Sequence, residues 1–190
     1  RVQYFSPGGQ FIQNFGTGGT TSGKFNVPLG IAAFGSDRIY VADSLNHRVQ
    51  ILGKSGEFIG AFGTFGVNPG QFDQPAALAV NQTSGDIYVV DTGNSRIQCF
   101  SKDGIYKHQW GSFGSNYGQF ANIGGIAIDS KGTIFIADTA NVRVQVFSAN
   151  GTFVNSIEGP FGQARTFLGP RRVAVDRYGT LYVTDSGGST

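Results

Sequence analysis

Four times along the chain an apolar run gives way to a polar turn and then to a second run that ends in aspartate. The first runs are LGIAAF (29–34), AALAV (76–80), GGIAID (124–129) and RRVAVD (171–176). The second are RIYVAD (38–43), DIYVVD (86–91), TIFIAD (133–138) and TLYVTD (180–185). An octet starts at each aspartate: DSLNHRVQ at 43–50, DTGNSRIQ at 91–98 and DTANVRVQ at 138–145. Its tail opens a third segment, RVQIL, RIQCF or RVQVF, and a Gly-containing turn leads to a fourth: EFIGAFG (57–63), IYKHQWG (105–111) or TFVNSIEG (152–159). These segments are rich in Val, Ile, Tyr and Phe and bounded by Gly, Asp, Asn and Ser, which predicts strands. No stretch carries the 3.6-residue period of a helix.

Aspartates 43, 91, 138 and 185 are 48, 47 and 47 residues apart, and arginines 1, 48, 96 and 143 keep the same period. Four short strands in each such unit predict an all-β fold built from the blades of a β-propeller. Three units are complete, at 29–63, 76–111 and 124–159. A half blade of third-and-fourth-strand type occupies 1–16, and one of first-and-second-strand type occupies 171–185. The halves are complementary, because the octet that begins at Asp185-Ser186 lacks the Arg-Val-Gln that opens the chain at Arg1-Val2-Gln3. Either they make one shared blade and close a four-bladed disk, or further blades lie outside this stretch or come from a second chain. Open blade edges invite strand pairing, so self-association through them is one expected interaction. The chain contains no Met, at its start or elsewhere, which reads as an excerpt of a longer polypeptide with any targeting signal outside it.

The octet is explained by turn chemistry. Four residues separate Asp43 from Arg48, Asp91 from Arg96 and Asp138 from Arg143. A hairpin loop of that length sets its flanking residues opposite one another, where acid and base pair across the ladder. Inside the loop, Ser44 with Asn46, Thr92 with Asn94 and Thr139 with Asn141 are residue types that hydrogen-bond local backbone and tolerate left-handed conformations. These aspartates, asparagines and arginines, with Asp185, are therefore expected to be structural.

The blocks GIAID…GTIFIADTANVRVQVF (125–147) and YVVDTGNSRIQCF (88–100), together with linkers of the type GxFGxxxGQF, resemble the NHL-repeat family. The resemblance recurs at a fixed period over essentially the whole chain. The family often carries His after the loop Asn; His47 matches, whereas Ser95 and Val142 depart. The resemblance implies a β-propeller, usually of six blades, of which this chain would be part. NHL propellers of tripartite-motif ubiquitin ligases and their relatives bind single-stranded RNA or proteins, on the face that carries the linkers and the second-to-third-strand turns.

Composition narrows the chemistry. The chain has 190 residues, enough for a substantial core, and no apolar run approaches the ~20 residues that span a bilayer. A net charge of +2 is too small to argue nucleic-acid binding by itself. His47 and His108 are the only histidines and occupy different positions in their units, which supplies no zinc constellation. That departs from the metal-binding histidines that resemblance to amidating-lyase propellers would require. No serine sits in a nucleophile elbow. Cys99, the single cysteine, falls on a strand and reads as a buried thiol. A calcium ring of the four strand-ending aspartates is disfavoured by their arginine partners. GTGGTTSGK (16–24) has neither the spacing nor the following helix of a phosphate loop. The expectation is a non-catalytic module without metal or cofactor.

Binding remains. The linkers repeat Gly-x-Phe at Phe25, Phe72 and Phe120, with Phe167 in the last place, and these rings are expected to plug the gaps between blades. Phe65, Asn68, Phe113, Asn116, Tyr117, Phe161 and Arg165 fall outside that register and are candidates to decorate the face. Lys24, Arg165, Arg171 and Arg172, beside Phe167 and Tyr117, form a modest basic and aromatic set of the kind that reads single-stranded RNA. Lys54, Lys102 and Lys131 fall in turns of the opposite face. A protein partner is the leading expectation, with single-stranded RNA the alternative and no membrane insertion. Asn81 and Asn150 head glycosylation sequons in polar turns, which keeps an extracellular assembly role open. The compartment would be cytoplasmic by the tripartite-motif resemblance and extracellular if the sequons are used.

Overall fold

The structure, a computed structural model, describes residues 1–158 and 167–186. Strands β1 (Val2–Phe5) and β2 (Phe11–Phe15) form a two-stranded antiparallel sheet. Blade A comprises β3 (Pro28–Phe34), β4 (Arg38–Asp43), β5 (Arg48–Gly53) and β6 (Phe58–Phe62), hydrogen-bonded in chain order. Blade B repeats the plan with β7 (Pro75–Val80), β8 (Ile87–Asp91), β9 (Arg96–Phe100) and β10 (Tyr106–Trp110). Blade C follows with β11 (Ile123–Ile128), β12 (Ile134–Asp138), β13 (Arg143–Phe147) and β14 (Phe153–Ile157). Strands β15 (Pro170–Val175) and β16 (Leu181–Asp185) make a second two-stranded sheet. The two-stranded sheets stay separate from one another, so the blades form an open arc of a β-propeller.

The second and third strands of each blade alternate between two apolar neighbours, because blades stack face to face. Every residue of β8, β9 and β13 is buried. Val41 and Phe25 pack toward the preceding half blade, and Tyr40, Val49 and Ile51 toward blade B. The next gap holds Tyr88, Ile97, Cys99 and Trp110 of blade B against Ile134, Ile136 and Phe147 of blade C. Phe25, Phe72 and Phe120 are all buried in these seams.

The first strands converge, with β3 against β7, β7 against β11 and β11 against β15. That approach demands small residues. A Cβ on Gly30 would meet the backbone of Ala76 and Ala77, and one on Gly124 would run into the carbonyl oxygen of Arg171 and the hydroxyl of Thr139. On the opposite side of the blade, Trp110 packs over Gly151 and the Phe147 ring, 5.7 Å away, with its indole N–H buried and without a partner among the described residues. Ties near the first-to-second-strand turns join blades A and B: Arg38 donates to the Lys102 carbonyl and to Asp103, and Tyr40 Oη donates to the Lys102 carbonyl at 2.9 Å.

The octet turns differ from expectation in one respect. Asp43 does pair with Arg48 in the ladder, as Asp91 does with Arg96 and Asp138 with Arg143. The left-handed residue, however, is the one after the asparagine: His47, Ser95 and Val142, at φ of 51°, 51° and 56°. In blades A and C the three residues before it make a single 3₁₀ turn. The asparagines are free for another task, described next.

Candidate functional site

Each complete blade carries one carboxylate that gathers four donors from three segments. In blade B, Asp91 accepts from the Asp73 backbone N–H at 2.7 Å, Asn94 Nδ2 at 2.9 Å, Arg96 Nε at 2.7 Å and Gln98 Nε2 at 3.0 Å. Asp43 does the same with Asn26, Asn46, Arg48 and Gln50, and Asp138 with Ala121, Asn141, Arg143 and Gln145. All three carboxylates are fully buried. A charge can be held there because it is paired and its lone pairs are satisfied.

The donors then reach outward to the preceding linker. Arg96 donates through Nη2 to the carbonyls of Asn68 and Gln71 and through Nη1 to Val67 and to Gln109 Oε1. Asn94 donates to the Gly66 carbonyl, and Gln98 both donates to the Gln71 carbonyl and accepts from the Gly70 N–H. Asn46 and Asn141 reach Gly19 and Gly114 in the same way, so these asparagines clamp linkers some 27 residues away and do not serve local backbone. Gln50, Gln98 and Gln145 are fully buried parts of this frame that sequence reasoning missed. Their signal was present, since each ends its octet two residues after the arginine.

A linker pinned by its carbonyls shows its side chains to solvent. Phe65, Val67, Phe113 and Tyr117 are 67%, 70%, 77% and 62% exposed. Of these only Val67 was not a sequence candidate. Phe65 and Phe113 occupy the same place in successive linkers, each bridged to the buried phenylalanine of its own linker. Asn68 and Asn116 are likewise equivalent: their N–H groups donate to Gln71 and Gln119 Oε1, and their carbonyls accept from Arg96 and Arg143. These four belong to the repeat after all; its first linker hides the pattern by carrying Gly18 and Thr21 there.

Two of the displayed rings are held from beneath. The His47 imidazole meets the Phe65 ring in a T-shaped arrangement with centroids 4.8 Å apart, while Nδ1 accepts from the Gln74 N–H at 3.2 Å and lies 3.6 Å from an Asp73 oxygen. Tyr117 stacks on Phe153 at 4.6 Å with the Arg143 guanidinium 5.5 Å from its ring centre.

Two of the cations expected to interleave with these rings lie elsewhere. Arg171 and Arg172 lie on the innermost strand β15, where Arg171 Nε donates to Ser186 Oγ at 2.9 Å and Arg172 to the Gly124 carbonyl. Lys24 gives its carbonyl to Arg48 and Gln50. Asp185 is exposed and accepts from the Leu168 and Gly169 N–H groups. Phe161 and Arg165 lie outside the described residues. Asn81 and Asn150 sit in turns away from the linkers, where their Oδ1 atoms accept from Thr83 N–H and Thr152 Oγ1, each at 2.9 Å. Burial pushes the Cys99 thiol up to about 12, so it is not a thiolate nucleophile at neutral pH.

The family model of the NHL repeat matches residues 25–52, 72–100 and 120–147, the three complete octets with their flanking strands. No curated protein sequence matches the chain. Among solved structures it is similar to a gluconolactonase from Xanthomonas campestris, at 17% identity over 97% of this chain and 62% of that one with a TM-score of 0.68. The hydrazine synthase of Kuenenia stuttgartiensis matches at 16% identity over 91% of this chain and 46% of that chain, with a TM-score of 0.65. A catalytically inactive virginiamycin B lyase from Staphylococcus aureus with quinupristin matches at 14% over 83% and 48%, with a TM-score of 0.63. At these identities the likeness is one of fold, and the chain spans about half the length of the structures it matches.

Proposed function

Since this chain belongs to the NHL-repeat family, we propose that it serves as a non-catalytic interaction module whose linker face binds a protein partner. The observation that carries this reading is the repeated display of Phe65, Val67, Phe113 and Tyr117 on linkers whose backbones are clamped from beneath. Rigidly presented aromatic and aliphatic side chains lose little entropy on binding, which suits them to anchor a protein surface. The strand-ending acids Asp43, Asp91 and Asp138 have their oxygens committed to the frame, so their chemistry is structural. The arginines of the octets are each paired with one of these acids, which favours a protein over single-stranded RNA as the partner.

The test is a selection of displayed random peptides on the folded protein. Enriched peptides are expected to lose binding at least tenfold to a Phe65→Ser/Phe113→Ser variant whose melting temperature is unchanged. Failure to enrich any peptide, together with salt-sensitive binding of a random single-stranded RNA pool, would overturn the reading.

A further inference from the structure

The third-to-fourth-strand turns all close in the same way, with the N–H of a glycine donating to the carbonyl three residues earlier: Gly9 to Ser6, Gly56 to Gly53, Gly104 to Ser101 and Gly151 to Ser148. The residue before that glycine differs from turn to turn, being Gly8, Ser55, Asp103 and Asn150. Blade C alone places an asparagine there, and Asn150-Gly151 is the single Asn-Gly pair of the sequence. Asn150 and the preceding Ala149 are exposed at the tip of the turn. The Asn150 side-chain carbonyl is nevertheless surrounded. Its Oδ1 accepts from the Thr152 hydroxyl at 2.9 Å, from the Thr152 N–H at 3.3 Å and from the Ser148 hydroxyl.

From this arrangement we infer that Asn150 is a site of spontaneous conversion to aspartate and isoaspartate through a succinimide. The Gly151 nitrogen gives its proton to hydroxide and attacks Asn150 Cγ. As the N–Cγ bond forms, negative charge builds on Oδ1, where the donors from Ser148 and Thr152 stabilise it as donors aimed at a developing oxyanion do. The Cγ–Nδ2 bond then breaks, and ammonia leaves with a proton taken from water, which restores the hydroxide. Water opens the ring at either carbonyl, giving aspartate or an isoaspartate whose main chain is one carbon longer. Glycine suits the reaction because no side chain shields its nitrogen. The bond from Gly151 to the Ser148 carbonyl has to open first, which is a local event at an exposed hairpin tip.

Blade B holds the contrast within the same molecule. Asp103-Gly104 occupies the equivalent turn, and an Asp-Gly pair cyclises by the same attack when its carboxyl is protonated. Arg38 donates to one Asp103 oxygen at 2.6 Å and Lys102 to the other at 2.9 Å, and these bonds hold the carboxyl below its ordinary range. An ionised carboxylate is a poor electrophile, so that turn is spared. Place gives the change at Asn150 its consequence. The Ala149 carbonyl accepts from Tyr88 Oη of blade B at 2.9 Å, and Trp110 of blade B packs over Gly151. Isoaspartate lengthens the main chain between these two contacts and pulls one of them away, which loosens the joint between blades B and C. Aspartate keeps the chain length and leaves the joint intact.

The test is an incubation of folded, glycan-free protein at mildly alkaline pH, followed by peptide mapping that separates aspartate from isoaspartate. Asn150 is expected to convert ahead of every other asparagine, while Asp103 gives no isoaspartate. Ser148→Ala/Thr152→Val should convert about threefold more slowly than the unaltered chain when folded, and at the same rate in urea, where the donors no longer converge. If the double variant does not fold, Thr152→Val alone decides by the same comparison. Converted protein should melt at a lower temperature than fresh protein, whereas Asn150→Asp should melt with the fresh. Asn150 staying intact or converting no faster than the other asparagines, or a folded variant converting at the unaltered rate, overturns the site. An unchanged melting temperature in protein rich in isoaspartate at 150 overturns the loosened joint.

Discussion

Asp91 shows what a single residue does here. It is fully buried, and its four donors come from the octet turn, the following strand and the linker. Replacing it with alanine strands Arg96 and the Asp73 N–H in the interior, so Asp91→Ala is expected to cost about 3–5 kcal/mol, measured by urea unfolding. The acid–base pairing was legible in the sequence because it recurs at a fixed period. The clamping role of Asn94 was not, since its partner at Gly66 is distant along the chain. A second residue-scale expectation concerns Cys99 and Tyr88, whose ionisations burial pushes up, the thiol to about 12 and the phenol well above its ordinary range. An unfolded thiol ionises near pH 9, so above that the folded state keeps a proton that the unfolded state has lost. The stability this gives is complete below pH 9 and drains away as the pH rises toward 12. Urea midpoints should be level from pH 7 to 8.5 and fall at pH 10.5, and the thiol should resist alkylation until the protein unfolds.

At the level of strands, the Val, Ile, Tyr and Phe runs and the Asp–Arg register gave element types and pairing correctly, because each blade buries both faces and tolerates no slip. The left-handed residues that open the first strands, Val27, Gln74 and Asn122, had no local signal. A β-branched valine at positive φ is disfavoured on its own; the octet turn holds it by donating the Ser44 N–H to the Val27 carbonyl. The convergence of first strands sets a sharper expectation. Gly124→Ala forces β11 away from β15 and should cost about 1–3 kcal/mol. Gly60→Ala, on β6 where an added Cβ meets nothing, should be neutral or stabilising by up to ~1 kcal/mol. Thermal melts of the two variants compare them directly.

For the molecule as a whole, the main contacts among the described residues run between neighbouring blades, so stability is distributed along the arc as in other repeat proteins. Hydrogen exchange should be slowest in β8, β9 and β13, which are buried throughout, and fastest in β16, whose residues are half-buried or exposed. The frame was readable from the sequence because the chain itself enforces it. The linker face was readable only in part: Phe65, Phe113 and Tyr117 stood out, whereas Val67 did not.

Trp110 gives this architecture a built-in optical probe. It is the chain's one tryptophan, and it lies in the seam between blades B and C over Gly151 and Phe147. Its emission therefore reports on a single joint, blue while that seam is dry and red once water enters it. Any perturbation elsewhere on the arc can be scored by colour for whether it spreads to the middle, without attaching a label.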